Sequence, residues 1–317
     1  MHDLDVRRLR VLRELSRRGT VTAVAAALHL TPSAVSQQLA ALSREAGAPL
    51  IESAGRRVRL TNAAQILLRH ADEIFARLEL AQADIAAATG APAGRVVLGG
   101  FAATISGLAL PALATLRDTA PHLHLRLLEV EHPEALDLLV RGELDVVLMV
   151  ESRQGPAATD RRFHREPLLT DVFDIALPAG HPVAAAPEVT LAELAEEPWI
   201  LPRAGACLDV SMATCAAAGF TPHVVHSIGD WEGVTAAVAL GLGVALVSRL
   251  ASVAARPGVT IRKLETDRPS RHITAVLRRG SQEAPHLAAV LGALRHHADL
   301  LNGPEHNVSM DLHGHPA

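Results

Sequence analysis

Residues 20–46 read TVTAVAAALHLTPSAVSQQLAALSREA, and this stretch decides the fold of the N-terminal region. It spells two short helices joined by a tight turn. The first is small and Ala-rich, from Val21 to about Leu28, and His29-Leu30-Thr31 is the turn. The second opens at Thr31-Pro32, with Thr31 as N-cap and Pro32 at the first helical position, where a missing N–H costs nothing. Val35, Leu39 and Leu42 recur at helical spacing, so one face is buried. The opposite face carries Ser33, Ser36, Gln37 and Gln38 rather than the Glu/Lys mixture of an ordinary solvated helix. Short hydroxyls and amides can hydrogen-bond base edges in a major groove. The pattern is that of a helix-turn-helix, with a plain helical hairpin as the alternative.

The charge distribution favours the nucleic-acid reading. Residues 1–62 hold ten Arg and five acids, a net of +5, and the −4 of the whole chain leaves −9 for residues 63–317. A local basic block on an acidic protein is the footprint expected for phosphate contact. Residues 50–60, LIESAGRRVRL, read as a β-hairpin wing that carries arginines at and beside its tip. Arg56, Arg57 and Arg59 are therefore candidate phosphate or minor-groove contacts.

The flanking elements follow from periodicity. A first helix covers 3–18 and ends at Gly19. Thr61-Asn62 can cap a long helix running to about Ala88, with Ile66, Leu67, Ile74, Leu78 and Ile85 in an apolar stripe. A stripe this long needs a partner, and the same helix of a second subunit is the simplest one. Residues 89–94 read as a linker. From Arg95 strands and helices alternate, the sign of a parallel α/β sheet. Strands are expected at 95–101, 123–130, 144–150, 173–178, 199–202, 223–229, 243–248 and 271–278. Helices are expected from about Thr104 to Thr119, at 134–141, 191–198, 207–218 and 231–240, and finally at 283–301. Residues 303–317 read as a disordered tail.

Composition narrows the function classes. The chain has 317 residues, enough for two or three folded units, and 49% of them are hydrophobic, so sizeable cores can be buried. Charges interrupt the N-terminus at Asp3, Asp5, Arg7, Arg8 and Arg10, so it lacks a signal-type apolar core, and no apolar run reaches bilayer length. The expectation is a cytoplasmic protein. Two cysteines do not make a disulfide framework. No phosphate-binding loop, zinc-protease motif, nucleophile elbow, paired CxxC or dinucleotide fingerprint is present, and the 17 His are scattered without ligand spacing. The expectation is a protein that is not an enzyme and needs no metal or cofactor.

At this point the chain can be compared with a known family. Residues 9–61 closely resemble the DNA-binding domain of LysR-type transcriptional regulators: an Ala-rich second helix, TPSAVSQQL at the recognition helix, GAPL before the wing and GRRVRLT through it. Segments 97–129, 139–150, 177–182 and 241–249 resemble recurrent segments of that family's effector-binding domain, so the resemblance runs from residue 4 to about 300. It departs in three places. Ile51 and Ser53 stand where an aromatic and an Arg are usual, TNAA (61–64) lacks the usual glycine, and Glu131-His132-Pro133 replaces a small hydroxyl-bearing turn.

The resemblance implies a winged helix-turn-helix at 1–62, a dimerisation helix at 63–90 and a two-lobed, periplasmic-binding-protein-like α/β effector domain at 91–302. Lobe one would be 91–162 with 267–300, and lobe two 163–266. Double-stranded DNA, a small-molecule effector of anionic character and a second or fourth copy of the chain would be the partners. Within that frame Thr31, Pro32, Ser33, Ser36, Gln37 and Gln38 are the recognition-helix candidates. Ser33 and Gln37 are placed to read bases; Ser36 and Gln38 can contact phosphate or other protein groups.

Effector candidates come from loops at the ends of strands, where open α/β sheets place ligands. Thr104 opens a helix and could hold an anion, or simply cap it. His132 occupies the turn after the second strand of the α/β region. Arg203 follows WILP and could pair with an acidic ligand. Trp231 could wall the cleft or pack. Two other readings stay open. One is a redox sensor using Cys207 and Cys215, which lie near the redox pair of the family's peroxide-sensing branch. The other is a ligand-binding protein with no DNA function.

Overall fold

The structure, a computed structural model, describes residues 3–54, 57–88, 92–151, 155–157, 159–186, 189–251, 256–264 and 266–303; at residues 53, 54 and 57 only the backbone is described. The wing residue Arg56, the first half of the expected linker and all but the first residue of the expected tail lie outside the described residues.

Local sequence sets the ends of the N-terminal helices. Helix α1 (Val6–Arg18) starts where the Asp5 carboxylate accepts from Arg7 N–H, and stops at Gly19 in the left-handed region. Helix α2 (Val21–Ala27) is capped by Thr20, whose hydroxyl accepts from Ala23 N–H. His29 then turns the chain with φ +52°. Helix α3 (Pro32–Glu45) is capped by Thr31, which accepts from Ala34 N–H at 3.2 Å, with Pro32 at its first position. Leu9, Leu12, Leu15, Val24, Val35, Leu39 and Leu42 fill one core beneath these helices. Strands β1 (Ile51–Ala54) and β2 (Arg57–Leu60) form the antiparallel wing, with Ile51 opposite Leu60. Helix α4 (Asn62–Ala88) is 27 residues long; Ala64, Ala71 and Phe75 of its inner face join the same core.

The rest of the chain builds a mixed sheet with helices against it. The elements in order are β3 (Gly94–Gly100), α5 (Ala102–Thr104), a π-helical turn (Ile105–Ala109) and α6 (Leu110–Thr119). Then come β4 (Leu123–Glu129), α7 (Glu134–Arg141), β5 (Val146–Val150) and β6 (Phe163–Pro178). After two 3₁₀ turns follow β7 (Pro198–Leu201), α8 (Ala206–Ala217), β8 (His223–Ser227) and α9 (Trp231–Ala239). The last are β9 (Ala245–Ser248), β10 (Val259–Arg262), β11 (Ser270–Arg278) and α10 (Pro285–Asn302). The main sheet runs β10-β6-β11-β5-β3-β4, with β9 also paired to β6. β3 is parallel to β4 and β5, whereas β11 is antiparallel to β5. β7 and β8 form a parallel pair tied to the β9 edge by a Trp199–Val244 bridge.

Four expectations change. The helix expected at 191–198 is only a 3₁₀ turn at Leu191–Leu194, with β7 beginning at Pro198. The strand expected at 173–178 begins ten residues earlier, at Phe163, because Arg165-Glu166-Pro167 interrupts the apolar pattern on a half-buried stretch. β10 is a strand that the alternation did not reveal. The helix after β3 starts at Ala102 with Phe101 as N-cap, so Thr104 is its third residue and not its cap.

The described chain falls into two compact units. One joins Met1–Ala88 with Thr159–His164 and Arg278–Ala284; the other holds the remaining α/β structure. The ends of β6 and β11 therefore belong to the head unit, a division the sequence did not suggest. No helix among the described residues is long and apolar enough to cross a membrane.

Candidate DNA-binding face and effector site

On α3 the burial pattern separates structure from function. Val35, Leu39 and Leu42 are buried, whereas Thr31, Pro32, Ser33, Ser36 and Gln37 are exposed and Gln38 is half-buried. The Thr31 hydroxyl is engaged as the helix cap. Ser33 and Gln37 lie four apart on the exposed face, one turn from each other, so both can point at the same groove.

The basic block is partly spent inside the head. Arg8 pairs with Glu45, and Arg17 and Arg18 both bond the buried Glu14 carboxylate. Arg13 is 9% exposed and its guanidinium carbon lies 4.0 Å from the Phe75 ring centroid. Burial lowers its pKa to about 10, with Asp72 opposing the shift. In the wing, Arg59 is exposed but pairs across the strands with Glu52. The Arg57 side chain lies outside the described residues, as does Arg56. Arg7, Arg10 and Arg44 are exposed on the head's surface, Arg10 with its guanidinium carbon 5.7 Å from the Phe75 ring centroid.

The expected effector residues do not form one constellation. Thr104 is fully buried, and its hydroxyl donates to the Phe101 carbonyl at 2.8 Å. It supports the end of β3, where a Cβ on Gly100 would stand 2.6 Å from its Oγ1. His132 is half-buried in the turn after β4, and Arg203 is exposed. Trp231 opens α9 and packs between two apolar clusters beneath α8 and α9.

The structure instead gathers a polar cluster that sequence reading missed. Arg271 of β11 is 4% exposed and Asp171 of β6 is 2% exposed. Arg271 Nε donates to Asp171 Oδ2 at 2.8 Å. Asp171 also accepts from Ser248 Oγ, at 2.9 and 2.7 Å, and from Leu250 N–H at 3.1 Å. Arg271 lies against two aromatic rings, Phe101 at 4.7 Å and Phe173 at 5.0 Å. Its Nη1 donates to Cys207 Sγ at 3.1 Å, and its buried Nη2 has no hydrogen-bond partner. A buried charged donor left unpaired costs more than the roughly 1–3 kcal/mol of a neutral one, so an incoming acceptor would be favoured here.

Cys207 stands in the first turn of α8, and Glu131 Oε2 lies 3.5 Å from where a Cβ on Gly205 would sit. Burial pushes the Cys207 thiol above its ordinary value, and Arg271 pulls it only part of the way back. Cys215 is fully buried, and desolvation raises its thiol to about 11. Both cysteines are free and sit on one continuous helix. Eight residues of helix span about 12 Å, beyond the roughly 7 Å that a disulfide tolerates between Cα atoms.

A signal for the cluster was present in the sequence. Period-2 alternation puts Arg271 on the face of Ile273, Ala275 and Leu277, and Asp171 on that of Phe173, Ile175 and Leu177. A charge at an inward position on each of two strands is a pairing signal.

A winged helix-turn-helix head with a hydroxyl- and amide-bearing recognition face, followed by an α/β unit with a buried polar cluster, defines a ligand-responsive DNA-binding regulator. Residues 6–65 match the model described as "Bacterial regulatory helix-turn-helix protein, lysR family", and residues 89–299 match "LysR substrate binding domain". The chain belongs to the LysR family of transcriptional regulators. It is 31% identical over 296 residues to a Mycobacterium avium protein named "Probable hydrogen peroxide-inducible genes activator", covering 90% of this chain and 93% of that one. Two solved structures share the fold. A hydrogen-peroxide-bound OxyR mutant of Corynebacterium glutamicum has TM-score 0.61, 22% identity and 97% of each chain covered. HinK of Pseudomonas aeruginosa has TM-score 0.56 and 21% identity, with 92% of this chain and 98% of that one covered.

Proposed function

We propose that this regulator answers to a small effector bound at the buried polar cluster, and that the effector carries an anionic group. The observation behind this reading is the orphaned Nη2 of buried Arg271, beside the first turn of α8. An anionic oxygen would complete the Arg271 hydrogen bonds, and the nearby Glu131 carboxylate favours a ligand that also offers a donor. Of the four residues expected from sequence, His132 and Arg203 remain plausible ligand contacts by exposure; Thr104 and Trp231 serve better as supports. Binding would change the relation of the two lobes, and so the presentation of the DNA heads. The protein acts in this reading as a cytoplasmic dimer or tetramer, paired through α4, and performs no catalysis.

A thermal-shift screen of the full-length protein against small carboxylates, amino acids and inorganic phosphate tests the effector class. At 100 times its dissociation constant a ligand adds about 2.7 kcal/mol of stability. The expected result is a raised melting temperature with an anionic compound, lost in Arg271→Met. A response only to neutral compounds, or one undiminished in Arg271→Met, contradicts it.

A second reading, response to an oxidant through Cys207, is favoured by the Arg271 contact to its sulfur. The relative named as a peroxide-inducible activator supports it. An oxidant-dependent change in DNA binding that survives in Cys207→Ser would rule it out.

A further inference from the structure

The outer face of the wing carries an acid against its arginine. In the antiparallel pairing of β1 with β2, Glu52 stands directly opposite Arg59. Ile51, Val58 and Leu60 pack against the core of the head, so alternation leaves Glu52 and Arg59 together on the outer face. Both are exposed, with side chains that keep 49% and 74% of their surface in solvent. Arg59 Nη2 donates to Glu52 Oε2 at 2.5 Å. Among the described side chains of residues 50–60 these two are the only charges, so the described part of the wing is neutral as a whole.

The pair does little to hold the wing in place. Exposed ion pairs contribute weakly to folding because water and salt screen them. The hairpin is seated by other means. Its apolar residues rest on the core, Thr61 Oγ1 donates to the Pro49 carbonyl at 2.8 Å, and Thr61 N–H donates to the Leu50 carbonyl at 3.1 Å. Toward DNA the pair has a larger consequence. A guanidinium bonded to a carboxylate presents no net charge, so it displaces no counterion from a duplex. For Arg59 to meet a phosphate, its bond to Glu52 must break or Glu52 must approach the phosphate with it, and two anions a few ångströms apart repel.

We propose that Glu52 is an attenuator of DNA affinity: by pairing with Arg59 across the wing, it withholds one cation from the phosphate backbone. Phosphate contact carries no sequence information, so the attenuation falls on every duplex alike. It weighs most on non-specific binding, which consists of little else. The head is thereby spared excess affinity for random DNA, while base reading by α3 is untouched. Glu52 acts in this through Arg59 and touches no base. The proposal rests on the regulator reading and adds a residue that sets its affinity.

A double-mutant cycle read as a salt slope tests it. Binding of the full-length protein to its own upstream duplex and to random duplex is measured between about 50 and 200 mM salt, the range over which phosphate contacts register. The proteins are wild type, Glu52→Gln, Arg59→Gln and the double variant. Gln keeps the shape of Glu52 and can still accept from Arg59, so only the charge is removed, and substitutions at exposed positions leave the fold intact. One further phosphate contact steepens the log–log slope by about 0.9, or about 3.5-fold in affinity across this fourfold range. Glu52→Gln is expected to give that steepening on both duplexes and to tighten both by about fivefold at the low-salt end. Beside Arg59→Gln the same substitution is expected to change affinity by less than about twofold. An unchanged slope in Glu52→Gln overturns the proposal. So does an equal gain in both backgrounds, which would make Glu52 a repulsive charge in its own right, or a gain confined to the upstream duplex, which would make it a base contact. Absence of sequence-specific binding by the wild type itself would count against the regulator reading and not against the attenuator alone.

Discussion

Gln37 is a residue at which packing and base reading can be told apart by substitution. It lies on the exposed face of α3, with Val35 and Leu39 on the buried face beside it. Gln37→Ala should leave the melting temperature nearly unchanged, because no core contact is lost. A bidentate amide–base contact is worth about 1–3 kcal/mol of discrimination, so specific affinity should fall by roughly tenfold to a hundredfold while affinity for random duplex stays. Competition binding with both duplexes checks this; a large loss of melting temperature instead would mean that Gln37 is structural. Cys215 gives a prediction in pH. Its thiol ionises near the ordinary 9.0 when unfolded and about 11 when folded. A raised folded value means that this contribution to stability is complete below pH 9 and is lost as pH rises toward 11. Urea unfolding at pH 8 and pH 10.5 should show a loss that is smaller in Cys215→Ala. In the native protein at pH 7 only about one Cys215 in ten thousand is thiolate, so alkylation of Cys215 should require unfolding.

Among the elements, those whose signal is local were readable and those set by the sheet were not. Thr31-Pro32 fixed the start of α3, Gly19 the end of α1 and Thr61 the seat of α4, each through a side chain or backbone preference at one position. β6 was only partly legible because its first half is partly buried and mixes polar residues and Pro167 with Phe163, Leu168 and Leu169, which hides the alternation. The π-helical turn has no sequence signature; within it Gly107 leaves room for the Leu250 carbonyl, which a Cβ would approach to 2.1 Å. The buried polar cluster was not legible because Asp171 and Arg271 are 100 residues apart in the chain and meet only through strand pairing. Helix α4 leaves Ile66, Leu78 and Ile85 exposed at 41%, 44% and 67%. Exposed apolar side chains along one helix are favourable only when another surface covers them. Leu78→Glu with Ile85→Glu should therefore shift the protein toward monomer in analytical ultracentrifugation with its helical content retained; an unchanged sedimentation coefficient would reject pairing through α4.

At the scale of the whole molecule, the reversal of charge along the chain keeps its meaning, though the structure reduces the number of free cations. Arg8, Arg13, Arg17, Arg18 and Arg59 answer acids or an aromatic ring within the head, so phosphate contact falls to fewer arginines than the ten in the sequence. The acidic α/β unit gains no such role; it holds the buried Asp171–Arg271 pair between two of its strands. In a LysR-family regulator the N-terminal head reads DNA under the control of the effector-binding domain. The most direct measurement is the dissociation constant of the full-length protein for its own upstream duplex and for random duplex, between about 50 and 200 mM salt. A head that contacts about six phosphates gives a log–log slope near −5. That slope is expected for both duplexes, with the specific one bound at least about a thousandfold more tightly. A flat slope, or equal affinity for the two duplexes, would contradict it.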